Sequence, residues 1–163
     1  MRTDLIHVIG TGGHAKVVVD ALLAAGIARP HIRVSDNNIL LDETVLRGIA
    51  VKVPAVHVEM CAEFFHVTLG NGQERQCLHA GIAALGARPL SVIHPGSVVS
   101  SSAQLGKAVF IAANAVIGLD VSLVDGVIVN HGAVVDQNCN IAAFTHLAPN
   151  AKLGGAVNVG SKC

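Results

Sequence analysis

The second half of the chain repeats every six residues, and this repeat limits the possible folds more than any other feature. Counting from Ile93, every sixth position is aliphatic, and the position two residues before each later member is small or β-branched. The aliphatic column comprises Ile93, Val99, Leu105, Ile111, Ile117, Leu123, Val129, Val135, Ile141, Leu147, Leu153 and Val159. An α-helix or an amphipathic strand would instead repeat about every 3.6 or 2 residues. The pattern predicts a parallel β-helix, in which each hexad forms one face of a prism and three hexads complete a coil.

Residues 18 positions apart should therefore stack in successive coils. We expect Ile117 to stack on Val135, and Val135 to stack on Leu153. The repeat predicts about four coils, and we assign residues 91–163 to this solenoid and residues 1–90 to a separate small domain.

The first 90 residues alternate between strand and helix patterns. Residues 5–9 predict a buried strand, residues 10–14 a glycine-rich turn, and the apolar spacing of residues 17–25 a helix. Further strands are predicted at 31–35, 48–53 and 65–69, with a second helix ending near Leu85. Such alternation predicts βαβ units and a parallel, Rossmann-like sheet. Nucleotides bind such sheets at the carboxyl ends of the strands, where helix N-termini offer N–H groups to phosphate.

The glycine turn admits several interpretations. Gly10, Gly12 and Ala15 fit the pattern G-x-G-x-x-[G/A], and Asp36 ends the second strand, as in NAD(P)-binding proteins. The glycines would equally suit a tight turn with no ligand. A domain of roughly 90 residues is short beside a full dinucleotide fold and lacks its second half, so its size favours a mononucleotide carrier such as a UDP-sugar.

The composition excludes several classes of function. Lys and Arg number 11, as do Asp and Glu, so no net positive charge favours nucleic acid. Trp and Tyr are absent, which removes the usual aromatic platform for single strands. Charged residues make up 13% of the chain, about half the usual ~25%. We expect partner subunits to cover much of such a surface.

Other signals favour a cytoplasmic protein without a membrane span or a metal. Asp120 and Asp125 interrupt the best apolar stretch, which falls short of the ~18 residues of a membrane span. The N-terminus lacks the apolar core of a signal peptide. The four cysteines form no C-x-x-C pair, as expected for reduced thiols, and the histidines show no metal-ligand spacing.

Four motifs in order carry a resemblance to a known family. They are Gly-Thr-Gly-Gly-His-Ala-Lys at 10–16, Asp-Asn at 36–37, Leu-Gly-Asn at 69–71 and Val-Ile-His-Pro at 92–95, which opens the solenoid. Together they resemble the bacterial nucleotide-sugar acetyltransferases of the NeuD/PglD-like family, which are left-handed hexapeptide-repeat acyltransferases. The resemblance implies a left-handed β-helix, a homotrimer with sites between subunits, and acetyl-CoA bound between neighbouring prisms.

The resemblance also implies which residues bind the ligands. Seven residues would contact the nucleotide-linked amino sugar: Gly12, Gly13, His14, Ser35, Asp36, Gly70 and Asn71. Of these, Ser35 and Asp36 would contact the base, and Gly70 and Asn71 would close the pocket. His146 would meet the thioester end of acetyl-CoA, and Gly155 would contact the same cofactor through its backbone.

The chain departs from the family at the catalytic position. The family places a general-base histidine and then an acid where this chain has Gln137 and Asn138. An amide cannot hold a proton near neutral pH, and general-base catalysis typically contributes 10²–10⁴-fold. His131 lies six residues before Gln137, one prism face away, and should be a surface residue.

The sequence therefore predicts an acetyl-CoA-dependent acetyltransferase of a UDP-type amino sugar, with activity reduced by Gln137. The transfer could be to nitrogen or to oxygen. An inactive nucleotide-sugar-binding homologue is the alternative, and an NAD(P)-binding protein is a third possibility.

Overall fold

A computed structural model describes residues 5–56 and 60–163. Its N-terminal part is a six-stranded sheet with one α-helix packed on each face. The strand order is β3-β4-β2-β1-β5-β6. The elements are β1 (Ile6–Ile9), α1 (Gly13–Ala24), β2 (Ile32–Ser35), β3 (Val45–Leu46), β4 (Ile49–Lys52), β5 (Phe64–Val67), α2 (Gly72–Ala84) and β6 (Arg88–Pro89), with short 3₁₀ helices at Arg29–His31 and Ile39–Leu41.

The prediction of a wholly parallel sheet was wrong at one edge. Strand β3 pairs antiparallel with β4, whereas the other pairs in this sheet are parallel. Arg47 and Gly48 connect the two strands with φ values of 53° and 82°. Two successive residues with positive φ form the tight turn that suits a two-residue hairpin, so the chain reverses here without a crossover helix.

Alternating side chains of the central strands bury both faces of this sheet. Val8 and Val34 point towards α1, which packs Val18 and Leu22 against them. On the other face, Ile9, Phe65 and Val67 pack with Ile82 of α2. The carboxyl ends of β1 and β5 are left beside the N-termini of α1 and α2.

The C-terminal part is the predicted β-helix of about four coils. Its two-residue strands are β7 (Val92–Ile93), β8 (Val98–Val99), β9 (Gln104–Leu105), β10 (Phe110–Ile111), β11 (Val116–Ile117), β12 (Ser122–Leu123), β13 (Ile128–Val129), β14 (Val134–Val135), β15 (Asn140–Ile141), β16 (His146–Leu147), β17 (Lys152–Leu153) and β18 (Asn158–Val159). They form three parallel four-stranded sheets, which are the three faces of the prism. The first face holds β7, β10, β13 and β16, the second β8, β11, β14 and β17, and the third β9, β12, β15 and β18.

The predicted stacking is confirmed by the register. Ile117 pairs with Val135, and Val135 pairs with Leu153. Both predicted columns point inwards, so the solenoid interior is filled by aliphatic and small side chains.

A third six-residue column lies at the corners of the prism and was not predicted. Every sixth residue from Ala108 to Lys162 has a positive φ. These residues are Ala108, Asn114, Asp120, Gly126, Gly132, Asn138, Phe144, Asn150, Ala156 and Lys162. Gly, Asn and Asp tolerate this left-handed conformation best and fill six of the ten positions. The backbone therefore makes one tight left-handed turn per face.

The two parts share a continuous core. Val92, Phe110 and Ile128 project outwards from the first face of the solenoid and pack into the cluster that contains α1 and its side of the sheet. The two parts are thus held side by side, and His146 is the next residue along the same column.

All four cysteines are free, with Cys139 buried and the others exposed. None of the helices within 5–56 and 60–163 is both long enough and apolar enough to cross a membrane.

Candidate functional site

The N-terminus of α1 opens at the carboxyl end of β1. Gly12 precedes the helix and provides no side-chain hydrogen bond to cap it. A Cβ built on Gly12 or Gly13 would meet nothing within 4 Å, so the space beside this turn is open. Free N–H groups at a helix N-terminus, together with the helix dipole, form a site that suits an anion such as a diphosphate.

His14 follows this turn and faces the solenoid. Its ring lies edge-on to Phe110, with centroids 4.9 Å apart, and 6.3 Å from the ring of His146. Its Nε2 atom is buried and has no hydrogen-bond partner among the described residues. Burial, followed by the positive charges of nearby groups including Arg75, lowers the pKa of His14 to about 3. The ring is therefore neutral.

Asp36 lies beside the glycine turn as an ionised carboxylate. It accepts hydrogen bonds from the Thr11 hydroxyl at 2.7 Å and from the backbone N–H of Asn38 at 3.0 Å. Partial burial acts to raise the pKa of Asp36, but these hydrogen bonds outweigh it and the pKa is lowered. Neighbouring Ser35 is buried, and its hydroxyl donates to the Ala55 carbonyl at 3.0 Å.

Gly70 and Asn71 form the matching turn at the carboxyl end of β5. The Asn71 side chain caps α2 by accepting from the backbone N–H groups of Gln73 and Glu74, each at 3.0 Å. Gly70 is exposed, and a Cβ there would meet nothing within 4 Å. Because β1 and β5 are neighbours, both predicted glycine turns lie at one edge of the sheet.

His146 of β16 closes this cleft from the side of the solenoid. Its Nε2 accepts from the Asn130 side-chain amide at 3.1 Å. Burial, followed by the positive charge of Arg75, lowers the pKa of His146, although the nearby backbone of Gly70 opposes this. The structure thus brings His146 together with His14 and Gly70; we call this space the His146 cleft.

Gln137 lies elsewhere, at the corner formed by residues 136–139 between β14 and β15. Its side-chain amide nitrogen donates to the Asp136 carboxylate, and its backbone N–H donates to the same group at 2.8 Å. Gly155 lies one coil further along, and a Cβ there would collide with the Gln137 amide. Asn138 occupies the left-handed corner position, with φ 59°. Gln137, Asn138 and Gly155 therefore form a second cluster, the Gln137 corner.

The two clusters lie on different sides of the prism. His146 is on the first face, whereas the Gln137 corner joins the second and third faces. His131 is at a different corner, between β13 and β14, where it is exposed and contacts the Asn130 side chain. One chain therefore does not place Gln137 beside His146.

Sequence reasoning missed two residues of the cleft, Asn130 and Arg75. Asn130 orients His146, and Arg75 is a buried arginine of α2 that contacts both parts of the chain. A buried arginine at a helical position gives no signal in a hydrophobic pattern. Among the described residues, no group of three or more His, Cys, Asp or Glu side chains could hold a metal ion.

Comparison with known proteins places this arrangement in a family. Residues 5–81 match the family model described as PglD N-terminal domain. The fold superposes with a TM-score of 0.88 and 34% identity on a histidine-to-asparagine variant of perosamine N-acetyltransferase from Caulobacter crescentus in complex with CoA and GDP-perosamine, over 97% of this chain and 75% of that one. The acetyltransferase domain of PglB from Neisseria gonorrhoeae FA1090 superposes with a TM-score of 0.80 and 33% identity, over 91% and 73%.

A comparison of sequences also finds a relative that is a nucleotide-sugar acetyltransferase. GDP-perosamine N-acetyltransferase of Escherichia coli O157:H7 is 27% identical over 95 residues, which are 58% of this chain and 43% of that protein. The chain thus matches less than half the length of this relative.

The left-handed β-helix defines the class of left-handed hexapeptide-repeat acyltransferases. Within that class, the chain belongs to the PglD-like family of nucleotide-sugar acetyltransferases.

Proposed function

We propose that the chain transfers an acetyl group from acetyl-CoA to the amino group of a nucleotide-linked amino sugar. The observation that carries this proposal is the His146 cleft, where an open helix N-terminus suited to a diphosphate lies beside His14 and His146. The relatives solved with CoA and GDP-perosamine support the same pairing of ligands.

The nucleotide carrier would occupy the carboxyl edge of the sheet. The N–H groups at Gly12 and Gly13 would bind the diphosphate, and ionised Asp36 would accept hydrogen bonds from the base or ribose. The Gly70–Asn71 turn would close the pocket above the sugar. Because the relatives act on GDP-perosamine by name, we propose a GDP-sugar first and keep the UDP-sugar favoured by the size of the domain as the alternative.

The chemistry requires a group that removes a proton. The sugar amine attacks the thioester carbonyl, the carbon–sulfur bond breaks, and the CoA thiol leaves while the nitrogen loses its proton. We place His146 at the thioester and Gly155 along the cofactor. The Gln137 amide cannot accept the proton, so we expect the rate to lie about 10²–10⁴-fold below that of a chain with a histidine there.

We also propose a homotrimer in which the Gln137 corner of one chain faces the His146 cleft of the next. This joins two clusters that one chain keeps apart. Leu119 lies directly below Gln137 in the neighbouring coil and is 63% exposed. Its carbonyl accepts a hydrogen bond from the backbone N–H of Asn138. An exposed leucine at this corner is accounted for if a partner covers it.

The assembly is tested with Leu119→Glu and, as its matched control, Leu40→Glu. Leu40 is a leucine of the N-terminal domain that is 83% exposed. Light scattering at micromolar protein should give a trimer mass for the wild type and for Leu40→Glu, and a lower mass for Leu119→Glu. A monomeric wild type would contradict the proposed assembly.

A second function is favoured by Gln137 alone. A chain that keeps the nucleotide-sugar pocket but has an amide at the base position could act as a binding or regulatory homologue. Calorimetry with a GDP-linked amino sugar would then show tight binding without transfer. Because acetyl-CoA is an intracellular donor and all four cysteines are free, we place either role in the cytoplasm.

Transfer is tested directly by following CoA thiol release with acetyl-CoA and GDP- or UDP-linked 4-amino sugars, with mass spectrometry of the product. We expect slow thiol release that requires the sugar and yields a sugar bearing one extra acetyl group. Binding of NAD(P)H, with no binding of either nucleotide sugar, would contradict the proposal.

A further inference from the structure

Arg75 is a buried cation that binds four main-chain carbonyls. Its side chain belongs to the first turn of α2, and the residue is 3% exposed. Nη1 donates to the carbonyls of Leu69 at 2.7 Å and Gly70 at 2.9 Å. Nε donates to Gly126 at 3.2 Å and Nη2 to Phe144 at 2.6 Å. None of the ion pairs among the described residues includes Arg75.

The four carbonyls come from both parts of the chain. Leu69 and Gly70 form the turn that follows β5, whereas Gly126 and Phe144 are corner residues of the solenoid, one coil apart. A guanidinium presents donors in a fixed planar fork, so it can hold several acceptors at defined angles. A lysine ammonium at this position would keep the positive charge but would lack the planar set of N–H donors that binds these carbonyls.

The surroundings of Phe144 show that this contact is built into the fold. Phe144 has φ 58°, a conformation that bulky side chains rarely adopt. A Cβ on Gly126 would collide with the Phe144 ring, and a Cβ on Gly72 would lie 2.5 Å from the Phe144 carbonyl oxygen. Two glycines thus leave room for the corner that Arg75 binds.

The same contacts lead directly to the His146 cleft. Gly70, which accepts from Arg75, also lies close enough to the His146 ring for its backbone to act on the pKa of that ring. Phe144, whose carbonyl also accepts from Arg75, lies two residues before His146 on the same turn of the solenoid. Arg75 therefore contacts both the Gly70–Asn71 turn and the turn of the solenoid that leads to His146.

We propose that Arg75 is a positioning residue that fixes the Gly70–Asn71 turn against His146 and so sets the nucleotide-sugar pocket relative to the thioester end of the cofactor. The proposal rests on the proposed function, since it assigns these two groups to the two substrates. The unpaired positive charge of Arg75 also lies beside the cleft, where it favours an anionic diphosphate.

The proposal is tested with Arg75→Lys and Arg75→Gln, and with Arg29→Lys as the matched control. Arg29 also donates to a main-chain carbonyl, that of Arg47, but it is exposed and precedes β2, at the amino ends of the strands rather than the carboxyl ends. Affinities for a GDP-linked amino sugar and for acetyl-CoA are measured by calorimetry. The titration of the His146 ring is followed by NMR.

We expect Arg75→Lys to weaken nucleotide-sugar binding by about tenfold or more. An ammonium keeps the charge, but it cannot replace the guanidinium hydrogen bonds that hold the Leu69 and Gly70 carbonyls of the pocket turn. Arg75→Gln should do the same and also raise the pKa of His146, because the positive charge that lowers it is gone. Arg29→Lys should change neither quantity. Lower thermal stability in the Arg75 variants, with unchanged affinity and an unchanged His146 titration, would overturn the proposal.

The wild-type chain supplies a further readout if the variants fail to fold. A guanidinium held by four carbonyls should show slowly exchanging, individually resolved Nη–H signals for Arg75. Rapidly exchanging, averaged signals would overturn the proposal. Because none of these measurements requires turnover, a wild type that binds both ligands but transfers no acetyl group would refute the proposed activity and leave the test of Arg75 readable.

Discussion

At the scale of single residues, the N-terminal domain holds histidines that burial keeps neutral. His66 on β5 is 1% exposed. Its Nδ1–H donates to the Leu90 carbonyl at 2.8 Å, while its Nε2 atom has no hydrogen-bond partner within the part of the chain that the structure describes. Burial lowers the pKa of His66 to about 4, although the Leu90 hydrogen bond opposes the shift. Protonating this residue therefore costs stability.

The pH dependence of the free energy of unfolding should reveal the lowered pKa of His66. Between about pH 6.5 and pH 4 the unfolded chain binds a proton here and the folded chain does not, so the free energy of unfolding falls as the pH is lowered. The slope is at most about 1.4 kcal/mol per pH unit for this residue. His66→Asn keeps a donor for the Leu90 carbonyl but cannot be protonated, so its dependence should be shallower. Urea unfolding at several pH values measures this.

The control for this experiment is His131→Asn, which changes an exposed histidine. It should keep the wild-type slope within error. Equal slopes for His66→Asn and the wild type would mean that His66 is protonated as easily in the folded chain as in the unfolded one.

Sequence motifs predicted some residues of the His146 cleft, whereas others lie there because of tertiary packing and could not be predicted. The glycine turn put His14 at a helix N-terminus, and the family resemblance singled out His146, which lies on a solenoid face. Arg75 could not be predicted, because arginine is ordinarily exposed and its acceptors are main-chain carbonyls that carry no sequence signature. The role of Gln137 remains a prediction, since it depends on what faces its corner.

At the scale of elements, each corner of the solenoid from Ala108 onwards is one left-handed turn. Gly126 has φ 68°, and the Phe144 ring of the next coil fills the space where its side chain would be. Gly154 lies outside the left-handed region, and a Cβ there would meet nothing within 4 Å. The two glycines therefore differ in how much stability depends on their lacking a side chain, although both lie within the hexad repeat.

Replacing each glycine by alanine separates these roles. Gly126→Ala should destabilise the chain by about 2 kcal/mol or more, because it adds left-handed strain and a steric clash. Gly154→Ala should change stability by less than about 1 kcal/mol and in the stabilising direction. Urea unfolding at neutral pH checks both, and equal effects would contradict the assigned turn geometry.

Elements with strong periodicity were predicted well, and short ones were not. The spacing of apolar residues located α1, now Gly13–Ala24, and the hexads located every face of the solenoid. The edge strand Val45–Leu46 is two residues long and has no period of its own. Its antiparallel direction follows from the turn at Arg47 and Gly48, which the sequence pattern did not signal.

At the scale of the whole molecule, the fold separates two tasks. The α/β domain presents its helix N-termini at the carboxyl edge of the sheet, and the solenoid presents a histidine to the same edge. Their shared core through Phe110 and Ile128 keeps this relation fixed. The Gln137 corner projects from the other side of the prism, so the proposed reaction requires a neighbouring chain.

The central claim is that this cleft performs acetyl transfer with a glutamine in place of the general base. The most direct test compares acetyl transfer by the wild type, by Gln137→His and by Gln137→Asn, an amide control, with a GDP-linked amino sugar as acceptor. We predict that Gln137→His exceeds both of the others by about 10²–10⁴-fold, and that its rate falls at low pH as the new imidazole is protonated. Equal rates in all three chains, or no transfer by Gln137→His although both substrates bind, would contradict the account.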